Sequence, residues 1–139
     1  MDEPFATKVA VVLLEDLPVW QKANAAAFLV SGIAGSTPPL VGETYVDGSE
    51  NRYLPMLRQP ILVYAADSPG IRRAYERAMA REVEQLAIFT RELFSTPNDT
   101  ANRAAVAAVP AAELDLVGIA LRADRKIVDR VLDKLRPHS

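Results

Sequence analysis

Two clusters of polar residues in this 139-residue chain could do chemistry. The first follows the apolar run "KVAVVLL" (8–14), where "EDLPVWQKAN" supplies Asp16, Trp20, Lys22 and Asn24 within nine residues. A carboxylate, an ammonium and an amide just past the carboxyl end of a buried strand fit ligand binding, because open α/β sheets hold ligands there. The second is "FSTPNDTANR" (94–103), in which Asp99, Asn102 and Arg103 lie three and four positions apart and share one helix face. An arginine in such a group can clamp an anion, and asparagines can both donate and accept. The two clusters together predict a pocket beside the end of the first strand. Asp16, Trp20, Lys22 and Asn24 line one side of it, and Asp99, Asn102 and Arg103 the other.

Each residue also has a purely structural explanation. Asp16 and Asp67 can cap helix starts, with Pro18 and Pro69 in the first turns. Thr96 and Pro97 have the form of a helix start, and Asp99 faces the positive end of the helix dipole. Local structure does not call for Asn102, a weak helix former beside an alanine-rich run. Asn24, set in an apolar helix, needs hydrogen-bond partners if it is buried. Asp47 is accounted for by an Asp-Gly turn, and Tyr45 and Tyr53 by cross-strand packing.

Other chemistries are excluded by residue type. With no cysteine there are no disulfides, thiolate nucleophiles or Cys-based metal sites. The single histidine, His138, is next to last, which leaves too few ligands for a His-based zinc site and only a near-terminal residue for a Ser-His-Asp triad. No G-x-x-x-x-G-K-[ST] or G-x-G-x-x-G follows the first strand, so no nucleotide cofactor is expected, nor any other. A net charge of −2 and a pI near 5.4 argue against nucleic acid held by bulk charge. No apolar run approaches the ~20 residues of a membrane span, and "MDEPFATK" is no signal peptide, so a cytoplasmic location is expected.

The elements that must position these residues alternate between strand and helix. "KVAVVLL" reads as a strand buried on both faces. The helix 18–33 is apolar nearly all round, with Gly32 and Gly35 marking its end. Residues 43–56 read as two short strands around Asp47-Gly48, and 59–66 as a second buried strand. "DSPGIRRAYERAMARE" is a helix capped by Asp67 or Ser68. Residues 84–94 are ambiguous between helix and strand, and Ile88, Phe89 and Thr90 favour a short strand. A helix starting at Thr96 stops before Pro110, "LDLVGIALR" (114–122) is a third apolar strand, and "DRKIVDRVLDKL" is a closing helix with Ile127, Val131, Leu132 and Leu135 inward. Half of the residues are hydrophobic, which suits one core, and the whole chain, 1–139, reads as a single α/β domain with a mixed sheet between helical layers.

The pieces "DLPVWQKANAAAFL", "GETYVDGSENRYLPM", "QPILVYAAD", "NDTANRAAVAAV" and "LDLVGIALRADRKIVDRVLDKL" run in order from about Lys8 to His138. In them the chain resembles the family catalogued as domain of unknown function 2000. The resemblance implies a three-layer α/β/α sandwich like that of type II peptidyl-tRNA hydrolases, and it brings no established activity. Asp16-Leu17, Gly118 and the final Val-Asp pair match those hydrolases. The turn "PVWQKAN" has no glycine, and its helix has no histidine. Three functions follow as expectations: a small-molecule binder using the pocket above, an esterase with Asp16 and Lys22 as catalytic candidates, or a homodimeric interaction module joined through helix 18–33 and the alanine-rich run 101–109.

Overall fold

The computed structural model describes residues 5–139; the first four residues of "MDEPFATK" lie outside the described residues. Among the described residues, seven strands and four α-helices follow in chain order: β1 (Thr7–Leu14), α1 (Val19–Ser36), β2 (Tyr45–Val46), β3 (Arg52–Tyr53), β4 (Ile61–Ala66), α2 (Ser68–Ala80), β5 (Gln85–Thr90), α3 (Asp99–Ala107), β6 (Leu116–Asp124), α4 (Arg125–Val131) and β7 (Arg136–Pro137). Five strands form a mixed sheet in the order β5-β6-β1-β4-β7. Its one parallel pair is β1 with β4, and β6 runs antiparallel to both β1 and β5.

The apolar run of β1 takes the centre because both of its faces must be covered, and Val9–Val12 are fully buried. Residues paired across neighbouring strands point to the same face. The register therefore sets Val11 and Leu13 beside Val63 and Ala65 of β4, and beside Ala120 and Gly118 of β6. α1 lies on this face. A Cβ added at Gly118 would stand 3.0 Å from Leu29 Cδ1, so glycine is what lets the helix approach the sheet. α2 lies on the opposite face, where Gly70 approaches the Ala66 side chain and Leu135, and α4 packs beside it.

α1 leans over β1, β6 and β5 and leaves β4 aside. Ile61 and Val63 are accordingly 37% and 39% exposed on that face.

Several expected boundaries move. α1 runs through Gly32 and Gly35 to Ser36, its cap position is Pro18, and no side chain caps it, so Asp16 is not the cap. Asn98, not Thr96, caps α3, accepting from Ala101 N at 2.9 Å. Thr96 instead donates to Leu93 O and contacts the Asn102 amide oxygen, which supplies the structural reason for Asn102 that the sequence lacked. Residues 84–94 divide into β5 and a 3-10 turn at Arg91–Ser95. The closing helix ends at Val131, with Leu132 as C-cap. Lys134 then takes φ 70°, and the chain returns as β7 against β4.

The 43–56 segment is a hairpin, as expected, with only two paired residues per strand. Asp47 organises its loop. The carboxylate accepts from Ser49 N (2.8 Å), Asn51 N (3.0 Å), Asn51 Nδ2 (3.1 Å) and Tyr53 Oη (2.7 Å). These donors, the Tyr53 hydroxyl foremost, lower the Asp47 pKa from 3.8 to about 2, and the same bond raises that of the Tyr53 phenol. A depressed carboxyl pKa stabilises the loop above the unfolded value and loses that contribution as pH falls through the folded one. The Ser49 and Asn51 amide resonances are therefore expected to hold constant from pH 7 to about 4 and to move together as pH falls towards 2. Movement centred near pH 4 would contradict this.

Candidate functional site

The parallel pair β1–β4 sets the location. Glu15 N donates to Ala66 O at 2.9 Å, extending the pairing one residue past β1, so Glu15 and Asp67 emerge side by side at the carboxyl edge. Here α1 and α2 both begin. Asp67 caps α2, accepting from Gly70 N at 2.8 Å. Loss of this bond in Asp67→Ala should cost roughly 1 kcal/mol. It should appear as a lowered urea midpoint with unchanged slope; an unaltered midpoint would leave the cap without energetic weight.

Behind this edge the short β7 pairs antiparallel with Tyr64 and Ala65. His138 N then donates to Val63 O at 2.9 Å and fixes the histidine beside α1. Its Nε2 lies 3.1 Å from Lys22 Nζ, and its Nδ1 lies 2.9 Å from Ser139 O. A carbonyl oxygen only accepts, so Nδ1 carries the ring proton and Nε2 accepts from the Lys22 ammonium. A cation and an imidazole thus stand side by side, with the Nε2 lone pair engaged by Lys22.

Around this pair is a cleft of about 560 Å³, lined among others by Glu15, Lys22, Asp67, Arg73, Lys134, Arg136 and His138. Four cationic side chains face two carboxylate side chains, and one of those, Asp67, is held by the α2 amide; Ser139 also lines the cleft. The positive end of the α2 dipole adds to the field. The arrangement favours an anionic group beside the Lys22–His138 pair.

The residues singled out from sequence do not converge on one pocket. Lys22 lines the cleft. Asp16 and Asn24 are exposed, so Asn24 is not a buried amide in need of partners. Trp20 turns to the other side of α1 and meets Phe94 edge-on at 5.8 Å, joining a row that continues through Phe89 to Phe28. Asp99 and Arg103 pair at 3.0 Å on the exposed side of α3. Asn102 and Arg103 border a separate depression of about 360 Å³ with Ile88, Leu93, Val106 and Ala107.

Arg73, Lys134 and Arg136 are not among the expected site residues, and His138 is one that its near-terminal position set aside. A signal was present in "LRPHS": Pro137 bars helix continuation, and Arg136 and His138 are spaced to share one face of a strand. A second cleft, about 600 Å³, lies between α2 and α4 and holds Arg77, Arg81, Lys126 and Arg130. In it Asp129 pairs with Lys8 at 2.5 Å, and Arg77 donates to the backbone oxygen of Asp133 at 3.0 Å. Among the described residues, no helix is long and apolar enough to cross a membrane.

No curated protein matches the chain. A solved structure of a protein of unknown function from Agrobacterium tumefaciens strain C58 is 42% identical, covering 98% of this chain and 100% of that one, with a TM-score of 0.94. The family model described as "Protein of unknown function (DUF2000)" matches residues 7–139. With the match spanning every strand and helix of the fold, the chain belongs to the DUF2000 family.

Proposed function

We propose that the chain binds a small anionic molecule in the cleft at the carboxyl ends of β1 and β4. The observation that carries this is the Lys22–His138 contact at 3.1 Å inside a cleft where cations outnumber carboxylates. Arg73 and Arg136 hold the anionic group, since guanidinium suits planar bidentate recognition of carboxylate or phosphate. Lys22 and His138 orient a second polar group of the ligand. The helices on both faces of a mixed sheet support a three-layer α/β/α sandwich of the type II peptidyl-tRNA hydrolase kind, as the family resemblance implies. Fold likeness of this sort does not carry an activity.

The test is native mass spectrometry of the protein purified gently from its own cells. An anionic metabolite retained by the wild type and lost from Lys22→Ala supports the reading. A mass equal to the bare chain, unchanged after addition of millimolar phosphate and carboxylate mixtures, contradicts it.

The same contact favours a second reading, hydrolysis of an ester bond. In this reading the Lys22 ammonium turns from His138 to the ester oxygen, the freed Nε2 takes a proton from water, and the resulting hydroxide attacks the ester carbonyl. Lys22 stabilises the oxyanion, and the C–O bond breaks as the proton passes from His138 to the leaving alcohol. Turnover of peptidyl-tRNA or a simple aminoacyl ester that disappears in His138→Ala supports it, and absence of turnover at high protein concentration removes it.

A further inference from the structure

The cleft between α2 and α4, about 600 Å³, is walled by cations from both helices. Arg77 and Arg81 stand four apart on α2 and its C-cap, and Lys126 and Arg130 four apart on α4. Four positions bring side chains to the same helix face, separated along the axis by roughly 6 Å. None of these four cations lines the cleft at the carboxyl ends of β1 and β4.

Like charges four apart weaken a helix, and a carboxylate three or four positions away is what relieves them. Asp129 is so placed for Lys126, yet it pairs with Lys8 of β1 at 2.5 Å. Asp133 is so placed for Arg130, yet among the described residues no ion pair joins them. Arg77 Nη1 donates to the Asp133 backbone oxygen at 3.0 Å, which fixes this guanidinium across the groove. Arg81, Lys126 and Arg130 are exposed. A chain of net charge −2 thus gathers two like-charge pairs around one cleft, an arrangement that helix stability does not ask for. We propose that this groove is a second binding site, for a small molecule that carries several phosphoryl groups and no apolar body.

The lining selects that class. Three of the four cations are arginines, whose planar forks suit phosphoryl oxygens. A phosphoryl group carries up to two charges on three acceptor oxygens, so two or three of them match four cations with few atoms. Asp129 and Asp133 repel an anion, and the four cations outweigh them once Lys8 has taken Asp129. Every described lining residue is charged, so nothing there packs against a ring or an acyl chain. A single strand of nucleic acid calls for aromatic side chains on which its bases stack, and none lines this groove among the described residues. The volume is that of a small-molecule site, ~300–1,000 Å³.

Calorimetric titration with tripolyphosphate at an ionic strength of about 0.15 M tests this. Saturable micromolar binding is expected, with backbone amide shifts at residues 77–81 and 126–130. Arg81→Gln with Arg130→Gln is expected to weaken binding by about a hundredfold, through the loss of two charged donors. The same variant is expected to melt no lower than the wild type, since each substitution removes one member of a like-charge pair. Arg81→Gln with Lys126→Gln gives the same reading should the first variant misfold. Arg73→Ala with Arg136→Ala, in the other cleft, is expected to leave tripolyphosphate affinity within threefold, so the two sites succeed or fail separately. Affinity no tighter than millimolar, affinity that survives both glutamine variants, or citrate or oligothymidine binding as tightly as tripolyphosphate would overturn the inference.

Discussion

Leu29→Ala should unfold the protein at a temperature roughly 10 °C lower than the wild type. Leu29 is 2% exposed and sits at the point where α1 comes closest to the sheet, against Gly118 and Leu13. Truncating a buried leucine removes its transfer free energy and leaves a cavity, together about 2–5 kcal/mol. In a chain of this length each kcal/mol lowers the melting temperature by roughly 2–4 °C. The contrast is Asn24→Ala on the same helix. Asn24 is exposed, so its removal should stay within about 0.5 kcal/mol. Thermal unfolding of the two variants side by side checks both. A large loss in Asn24→Ala would restore the reading of Asn24 as a satisfied interior amide. A small loss in Leu29→Ala would mean that the α1 face is not where the core is held.

The second large effect concerns binding. Lys22→Ala and His138→Ala should each weaken anion affinity by about ten- to a hundredfold, since a hydrogen bond to a charged group contributes roughly 1.5–3 kcal/mol. The two losses should not add, because each substitution removes the same contact from the other residue's side. The double substitution Asn24→Ala with Arg103→Ala should leave affinity unchanged. Asn24 is exposed, and Arg103 borders a different depression, paired to Asp99. Calorimetric titration with the retained ligand measures all of these. Additive losses from Lys22 and His138 would show that the pair does not act as a unit.

These predictions also mark what was readable in the chain. The central strands β1 and β6 announced themselves, because "KVAVVLL" and "LVGIAL" are continuous apolar runs covered on both faces. "ILVYAA" announced β4 but not its burial, since α1 leaves Ile61 and Val63 partly exposed. The α2 start was legible to within a residue: Pro69 in the first turn leaves Asp67 or Ser68 as cap, and the structure selects Asp67. Register and long-range pairing were not. β7 is two residues long and contains proline, too short to carry a periodic signal, so the sequence ended in a helix where the structure turns back. That turn at Lys134 brings His138 to Lys22 across 116 positions, a contact no local pattern encodes. Trp20 and Lys22 fell into one expected pocket because they are near in sequence. On the helix they diverge, one to Phe94 and the other to His138. Asn102 stood out because its partner, the Thr96 hydroxyl, becomes visible only once the preceding turn is folded.

The most direct test of the proposed site uses the fact that His138 is the only histidine in the chain. Long-range proton–nitrogen NMR spectra then show one imidazole, free of overlap, during titration with inorganic phosphate. Anion binding in the cleft is expected to shift the His138 Nε2 resonance saturably as phosphate is added, with the shift abolished in Arg73→Ala and Arg136→Ala. A ring whose resonances stay fixed to tens of millimolar phosphate, or respond equally in the arginine variants, would contradict anion binding at the ends of β1 and β4.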